Sequence, residues 1–160
     1  MNETRNETGK YINLIRNRTA SFSENQGRRP RILITRIDPM SSDRKVKRIA
    51  TALADMGFDV DINTSVQAPV DIARLASEND VHAVGIPDIS ADNCKLLSEL
   101  LTVFPSGIEK KVALIVWTHR KPGGTIRLPK AQVDKVEMFA VGADITDCAD
   151  RILDVLEQNF

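Results

Sequence analysis

From Arg31 to the end of the chain, short apolar runs alternate with stretches whose apolar residues recur every three or four positions. Arg31–Ile37 is the first run. Its Ile32, Leu33, Ile34 and Ile37 are nearly continuous, the mark of a strand buried on both faces. Ser41-Ser42-Asp43 then offers N-cap side chains for a helix that reaches Met56, with Gly57 as its stop. The same pattern predicts strands at Asp59–Ile62, Val81–Ile86, Val112–Trp117 and Met138–Val141. It predicts helices at Val70–Glu78 behind Pro69, at Asp92–Phe104 and from Asp147 to Gln158. Gly123-Gly124 and Pro129 break the stretch 118–135, where a short helix near 130–136 is the one further expectation. Strands that alternate with helices require a parallel sheet with right-handed crossovers and helices on both faces. The expected architecture is a doubly wound, five-stranded α/β domain over 30–160.

Residues 1–29 read differently. Tyr11, Ile12, Leu14, Ile15 and Phe22 stand alone among Asn, Glu, Thr, Arg and Ser. So few apolar side chains build no separate core, which predicts a polar tail, disordered or docked on a partner. Asn2-Glu3-Thr4, Asn6-Glu7-Thr8 and Asn17-Arg18-Thr19 match the glycosylation sequon by chance in such a segment.

Composition narrows the function classes. The 160 residues include 22 Lys plus Arg and 22 Asp plus Glu, a formal charge of zero. A chain without net positive charge is a poor generic binder of nucleic acid, whose affinity comes from neutralising phosphates. Cys94 and Cys148 make no disulfide framework and no metal-ligand spacing, so no metal is expected. No run of about 18 apolar residues predicts a membrane span, and the polar N-terminus is no signal peptide. A soluble cytoplasmic protein is the expectation.

In a doubly wound sheet, ligands bind beyond the carboxyl ends of the strands. The loops to inspect are 37–43, 63–69, 87–92, 118–129 and 142–147. The first contains Ser41, Ser42, Asp43, Arg44 and Lys45, which could hold an anion at a helix start; ordinary capping accounts for the same residues. Loop 118–130 carries His119, Arg120, Lys121, Arg127 and Lys130 without an acid, a surface for phosphate or an acidic partner, or a solvated loop. No glycine-rich phosphate loop is present. Asp38, Asp88 and Thr118 fall where a phospho-acceptor receiver has its site, yet Val141-Gly142-Ala143-Asp144 lacks the required Lys. His82 falls within the third strand and reads as a packed residue. No paired carboxylates and no nucleophile with a base emerge, so no catalytic residue is assigned.

The stretch 28–83 resembles the cobalamin-binding domain of methylmalonyl-CoA mutase and related acyl-CoA mutases. The residues that carry the resemblance are Arg28-Arg29-Pro30-Arg31-Ile32-Leu33 and Ile49-Ala50-Thr51-Ala52-Leu53-Ala54-Asp55-Met56-Gly57-Phe58-Asp59-Val60-Asp61. Ala73-Arg74 and Glu78-Asn79-Asp80-Val81-His82-Ala83-Val84-Gly85 continue it. The resemblance implies a flavodoxin-like sheet. It also implies a loop of type D-x-H-x-x-G after the first strand, whose His ligates cobalt and whose Asp orients that His. This chain has Met40 for the Asp, Ser42 for the His and Lys45 for the Gly, beside Asp43 and Arg44. The family's S-x-L after the third strand reads Pro87-Asp88-Ile89, and its paired glycines after the fourth read Trp117-Thr118. An indole at Trp117 is expected to fill the tunnel that takes the cofactor's nucleotide tail.

These changes predict a domain that kept its fold and lost its ligand. No cofactor is expected, and the chain would act as a structural or regulatory partner of an acyl-CoA mutase catalytic subunit, with homo-oligomerisation as the other arrangement. Two competing expectations stand beside it. One is a small subunit that still carries adenosylcobalamin; the other is an anion- or nucleotide-binding module built on Ser41, Ser42, Arg44 and Lys45, with His119, Arg120 or Lys121.

Overall fold

The computed structural model describes residues 2–90, 93–104, 112–119 and 136–159. In chain order these form α1 (Asn2–Gln26), β1 (Arg31–Arg36), α2 (Asp43–Asp55), β2 (Asp59–Val66), α3 (Pro69–Glu78), β3 (Ala83–Ile89), α4 (Cys94–Val103), β4 (Ala113–Thr118), β5 (Val136–Ala140) and the last helix, α5 (Ile145–Asn159). All strand pairs are parallel, in the order β2-β1-β3-β4-β5. This is a flavodoxin-like doubly wound sheet.

Alternate residues of each strand serve opposite faces. Ile32, Ile34, Ala83, Ala113, Ile115 and Trp117 meet α1, α2 and α5. Leu33, Val84, Ile86, Leu114 and Val116 meet α3 and α4. Coverage of both faces is why β1 and β4 read as unbroken apolar runs. All seven residues of the central β3 are buried, Pro87 and Asp88 included.

Most boundaries shift by one to three residues from the sequence reading, and two shifts have clear causes. β3 runs on to Ile89 although Pro87 signals a break. Its pairing with β4 changes register between Ile86 and Ile89, so Pro87 and Asp88 sit in a bulge where no ladder N–H is required. β2 extends to Val66, its polar end held by pairing of Asn63 and Val66 with β1. The helix expected near 130–136 lies outside the described residues.

Residues 2–26 are helix α1, and one face of it packs on the domain itself. Ile12, Ile15 and Phe22 reach the core of the α2/α5 face, with Phe22 edge-on to His82 at 5.2 Å between ring centroids. Thr19 Oγ1 donates to the carbonyl of Met56 (2.9 Å), and Arg16 Nε donates to that of Asp55 (2.8 Å), so α1 covers the C-terminal end of α2. Arg18 reaches Asp150, Asp154 and Glu157 on α5 at 2.5–3.0 Å. The stripe was hard to read because its inward positions include Thr19, and polar residues fill the rest of the helix.

Gly57 shows how tightly α1 fits. Its φ is +95°, and a Cβ there would lie 2.2 Å from Thr19 Oγ1. Glycine is required both by the turn that ends α2 and by the approach of α1.

Candidate functional site

The carboxyl edge of β1, β3 and β4 is held together by two buried aspartates. Asp38 follows β1 and is fully buried. It accepts from the amides of Met40 (2.9 Å) and Ser90 (3.0 Å) and from Asn93 Nδ2 (2.7 Å). Burial alone would raise its pKa, but the donors from Asn93, Ser90 and Met40 outweigh it and hold the carboxyl below its ordinary value. Asp38 therefore ties the β1 loop to the start of α4.

Asp88 is the second node. It adopts φ +63° in the β3 bulge, a left-handed conformation uncommon outside glycine and asparagine, and its side chain is 6% exposed. Its carboxylate accepts from the Ser42 amide (2.9 Å) and from Lys45 Nζ (3.1 Å), and it contacts His119 Nε2. Lys45 Nζ also lies 3.2 Å from His119 Nε2. Lys45 only donates, and the bond to Asp88 requires the imidazole proton on Nε2, so both groups gather round the one carboxylate. Three loops thus converge on a single buried acid.

The residues singled out in the sequence fare unequally. Ser42, Lys45 and His119 come together at Asp88. The Ser42 hydroxyl oxygen also accepts from the Lys45 amide (3.4 Å) as the N-cap of α2. Ser41 is buried by other business: its hydroxyl donates to the Asp38 carbonyl (2.6 Å), and it receives Arg36 Nε (3.0 Å). Asp43 pairs with Lys47 (3.3 Å) one turn on. Met40 is 84% exposed, whereas Ile89 is entirely in the core. Thr118 is half-buried, and its carbonyl accepts from Val141 N (2.9 Å). Arg120, Lys121, Arg127 and Lys130 lie outside the described residues. His82 stands at the opposite, amino edge of the sheet, where its Nδ1 accepts from Arg31 N (2.9 Å).

Trp117 is 2% exposed and forms part of the core. Its indole packs against Phe139 at 5.6 Å between centroids and passes over Gly85, where an added Cβ would sit 3.3 Å from the ring. Cys148 lies in the same cluster, and burial pushes its thiol up to about 11. The indole of Trp117 borders open space at the carboxyl edge. It makes one wall, and a cleft of about 290 Å³ remains open beside it. Pro87, Asp88, Lys45, Arg48, Ile49, Ala52 and the turn Val141–Ala143 complete the lining with Ile145.

Sequence reasoning missed Asp88 as a hub, Asp38 as its companion, and Arg48 and Ala52 as cleft residues. Arg48 had a signal, since it follows Lys45 by three positions and so shares its helix face. The convergence on Asp88 had none, because it joins loops 43 and 31 residues away in sequence. Among the described residues no group of three or more His, Cys, Asp or Glu could hold a metal ion. No helix there is long and apolar enough to cross a membrane.

No family model matches the chain. Individual proteins do. The chain is 42% identical over 147 residues to a methylmalonyl-CoA mutase large subunit of Streptomyces virginiae, covering 91% of this chain and 20% of that one. It is 35% identical over 149 residues to the human mitochondrial methylmalonyl-CoA mutase, covering 93% of this chain and 20% of the relative. The methylmalonyl-CoA mutase of Cereibacter sphaeroides matches at 35% over 144 residues, 86% of this chain and 19% of the other. The chain thus spans about a fifth of the length of the curated relatives it matches. It is a homologue of methylmalonyl-CoA mutases, matching a domain-sized part of them consistent with the cobalamin-binding domain of the acyl-CoA mutases.

Proposed function

We propose that this chain is a non-catalytic relative of the cobalamin-binding domain that holds no cobalt through a histidine. It acts as a structural or regulatory partner of an acyl-CoA mutase catalytic chain. The observation that carries the reading is the Asp88 cluster. At the carboxyl edge, where an imidazole ligand would have to project, Ser42 stands with its amide on Asp88 and its hydroxyl capping α2. Lys45 stands where a glycine would leave room for a macrocycle, and its ammonium is spent on the same acid. His119, the imidazole at this edge among the described residues, is engaged with Asp88 and projects from β4, not from the β1 loop.

A hydroxyl is a far weaker donor to cobalt than imidazole nitrogen, so this donor set does not fit a histidine-ligated corrinoid. The relatives carry about four-fifths of their length beyond the part matched here, and in this reading the catalytic chain is a second protein. The outer face of α1, with Tyr11 and Leu14 each 57% exposed, is offered as the contact, together with the loop after β4.

Mixing the protein with hydroxocobalamin or adenosylcobalamin, desalting and recording the visible spectrum tests the first half. Colourless protein is the expected result. A base-off spectrum means that a protein side chain ligates cobalt and overturns the reading. A base-on spectrum favours the cofactor-carrier alternative. A pull-down with a mutase catalytic chain lacking its own domain of this kind tests the second half, and absence of retention removes the partner.

A further inference from the structure

We propose that the cleft between α2 and the carboxyl ends of β3 and β4 binds a small organic anion, with a compact acyl or aryl body and one carboxylate or phosphate. This does not depend on the partner reading. The size selects the ligand. At about 290 Å³ the space is just below the range of drug-sized pockets and suits a ring or short chain.

The lining selects its chemistry. Ile49, Ala52, Pro87, Trp117, Val141 and Ile145 make apolar walls, while Lys45 and Arg48 project from successive turns of α2. Against these two cations stands one acid, Asp88, whose oxygens already face the Ser42 amide and the Lys45 ammonium. The lining is therefore net positive, and its free charge is Arg48, which is exposed and makes no ion pair among the described residues.

Lys45 and Lys47 have carboxylate partners, whereas Arg44 and Arg48 make no ion pair among the described residues. Arg44, Lys45, Lys47 and Arg48 crowd the first half of α2, with Asp43 as the acid in its first turn, spent on Lys47. Cations in the first turn of a helix face the positive end of its dipole and are disfavoured there, and the next turn adds two more of the same sign. An anion seated between Lys45 and Arg48 offsets that crowding of like charge. Its apolar body would cover the exposed parts of Ile49, Ala52 and Ile145.

Trp117 is the one tryptophan of the chain and lines the cleft, so its emission reports occupancy. The full chain is titrated with phenyl phosphate, hexanoate, inorganic phosphate and, as an uncharged control, hexanol. A saturable change in the millimolar range with phenyl phosphate or hexanoate is expected, and the stronger of the two identifies the head group. Inorganic phosphate and hexanol should each bind far more weakly.

Arg48→Glu, at an exposed position without an ion pair among the described residues, should leave folding intact and weaken binding by about tenfold or more through the lost charge-assisted bond. Ala52→Phe should abolish it by filling the cleft. No saturable change with either anionic probe overturns the proposal, as does binding equal in Arg48→Glu and the native chain. Retention of hydroxocobalamin that shuts both probes out of the cleft overturns it too, since the space then serves a corrinoid.

Discussion

At the scale of single residues, Asp88 combines local strain with several bonds, and the two can be separated. Asp88→Ala removes the acceptor for Ser42, Lys45 and His119 while keeping φ near +63°. It should cost about 2–3 kcal/mol, the loss of buried charge-assisted bonds. Asp88→Asn keeps an oxygen for the Ser42 amide and tolerates the left-handed backbone, so its loss should be under half of that. Chemical denaturation of both variants checks the ranking; equal losses would mean the carboxylate charge alone matters.

Asp38 makes a pH prediction. Its pKa is held below the ordinary value of about 3.9, so its contribution is complete above about pH 4. That contribution is lost as pH falls through the lower, folded-state value. Unfolding free energy measured between neutrality and strong acid should therefore fall less steeply below about pH 4 in Asp38→Asn than in the native chain. Parallel slopes would show that the Asn93, Ser90 and Met40 donors do not favour the charged form.

At the scale of elements, α1 and α2 are locked at Gly57. Gly57→Ala forces a Cβ against Thr19 Oγ1 and a side chain onto φ +95°, and should destabilise by about 2–3 kcal/mol. Adding Thr19→Ala should recover the steric part only, because the backbone strain stays. A double-mutant cycle measures the two parts, and full recovery would assign the whole effect to the clash.

Gly57 was legible as a helix stop from its position alone. Its second role was not, because the atom it avoids lies 38 residues earlier in the chain. β3 makes the same point in reverse. Pro87 correctly marks a place without a ladder hydrogen bond, but only the register shift against β4 shows a bulge inside a continuing strand.

At the scale of the whole molecule, α1 completes one of the two covered faces of the sheet. Removing residues 1–26 should expose the apolar surface that Ile12, Ile15 and Phe22 now cover, over α2 and beside His82. The truncated protein should melt lower and bind a hydrophobic dye, whereas Arg18→Ala alone should cost at most about 1 kcal/mol. The three carboxylates that Arg18 reaches are 45–57% exposed, and surface pairs are weak. Unchanged melting on truncation would mean that α1 rests on the domain without stabilising it.

The doubly wound architecture followed from the chain itself. Burial of a strand on both faces demands a continuous apolar run, and burial of a helix on one face demands apolar spacing of three to four residues. Both requirements are written locally, as in Ile32–Ile34 and Leu96–Leu101. The altered residues at Met40, Ser42, Lys45, Pro87 and Trp117 were equally plain as identities.

What those residues do was decided only by tertiary structure. Whether Lys45 faces a ligand or a carboxylate depends on the position of Asp88 on a neighbouring strand. Whether Trp117 blocks a space or walls it depends on Gly85, Phe139 and the packing of α5. Electrostatic pairing and cavity shape are properties of distances through space, and residues remote in sequence set them.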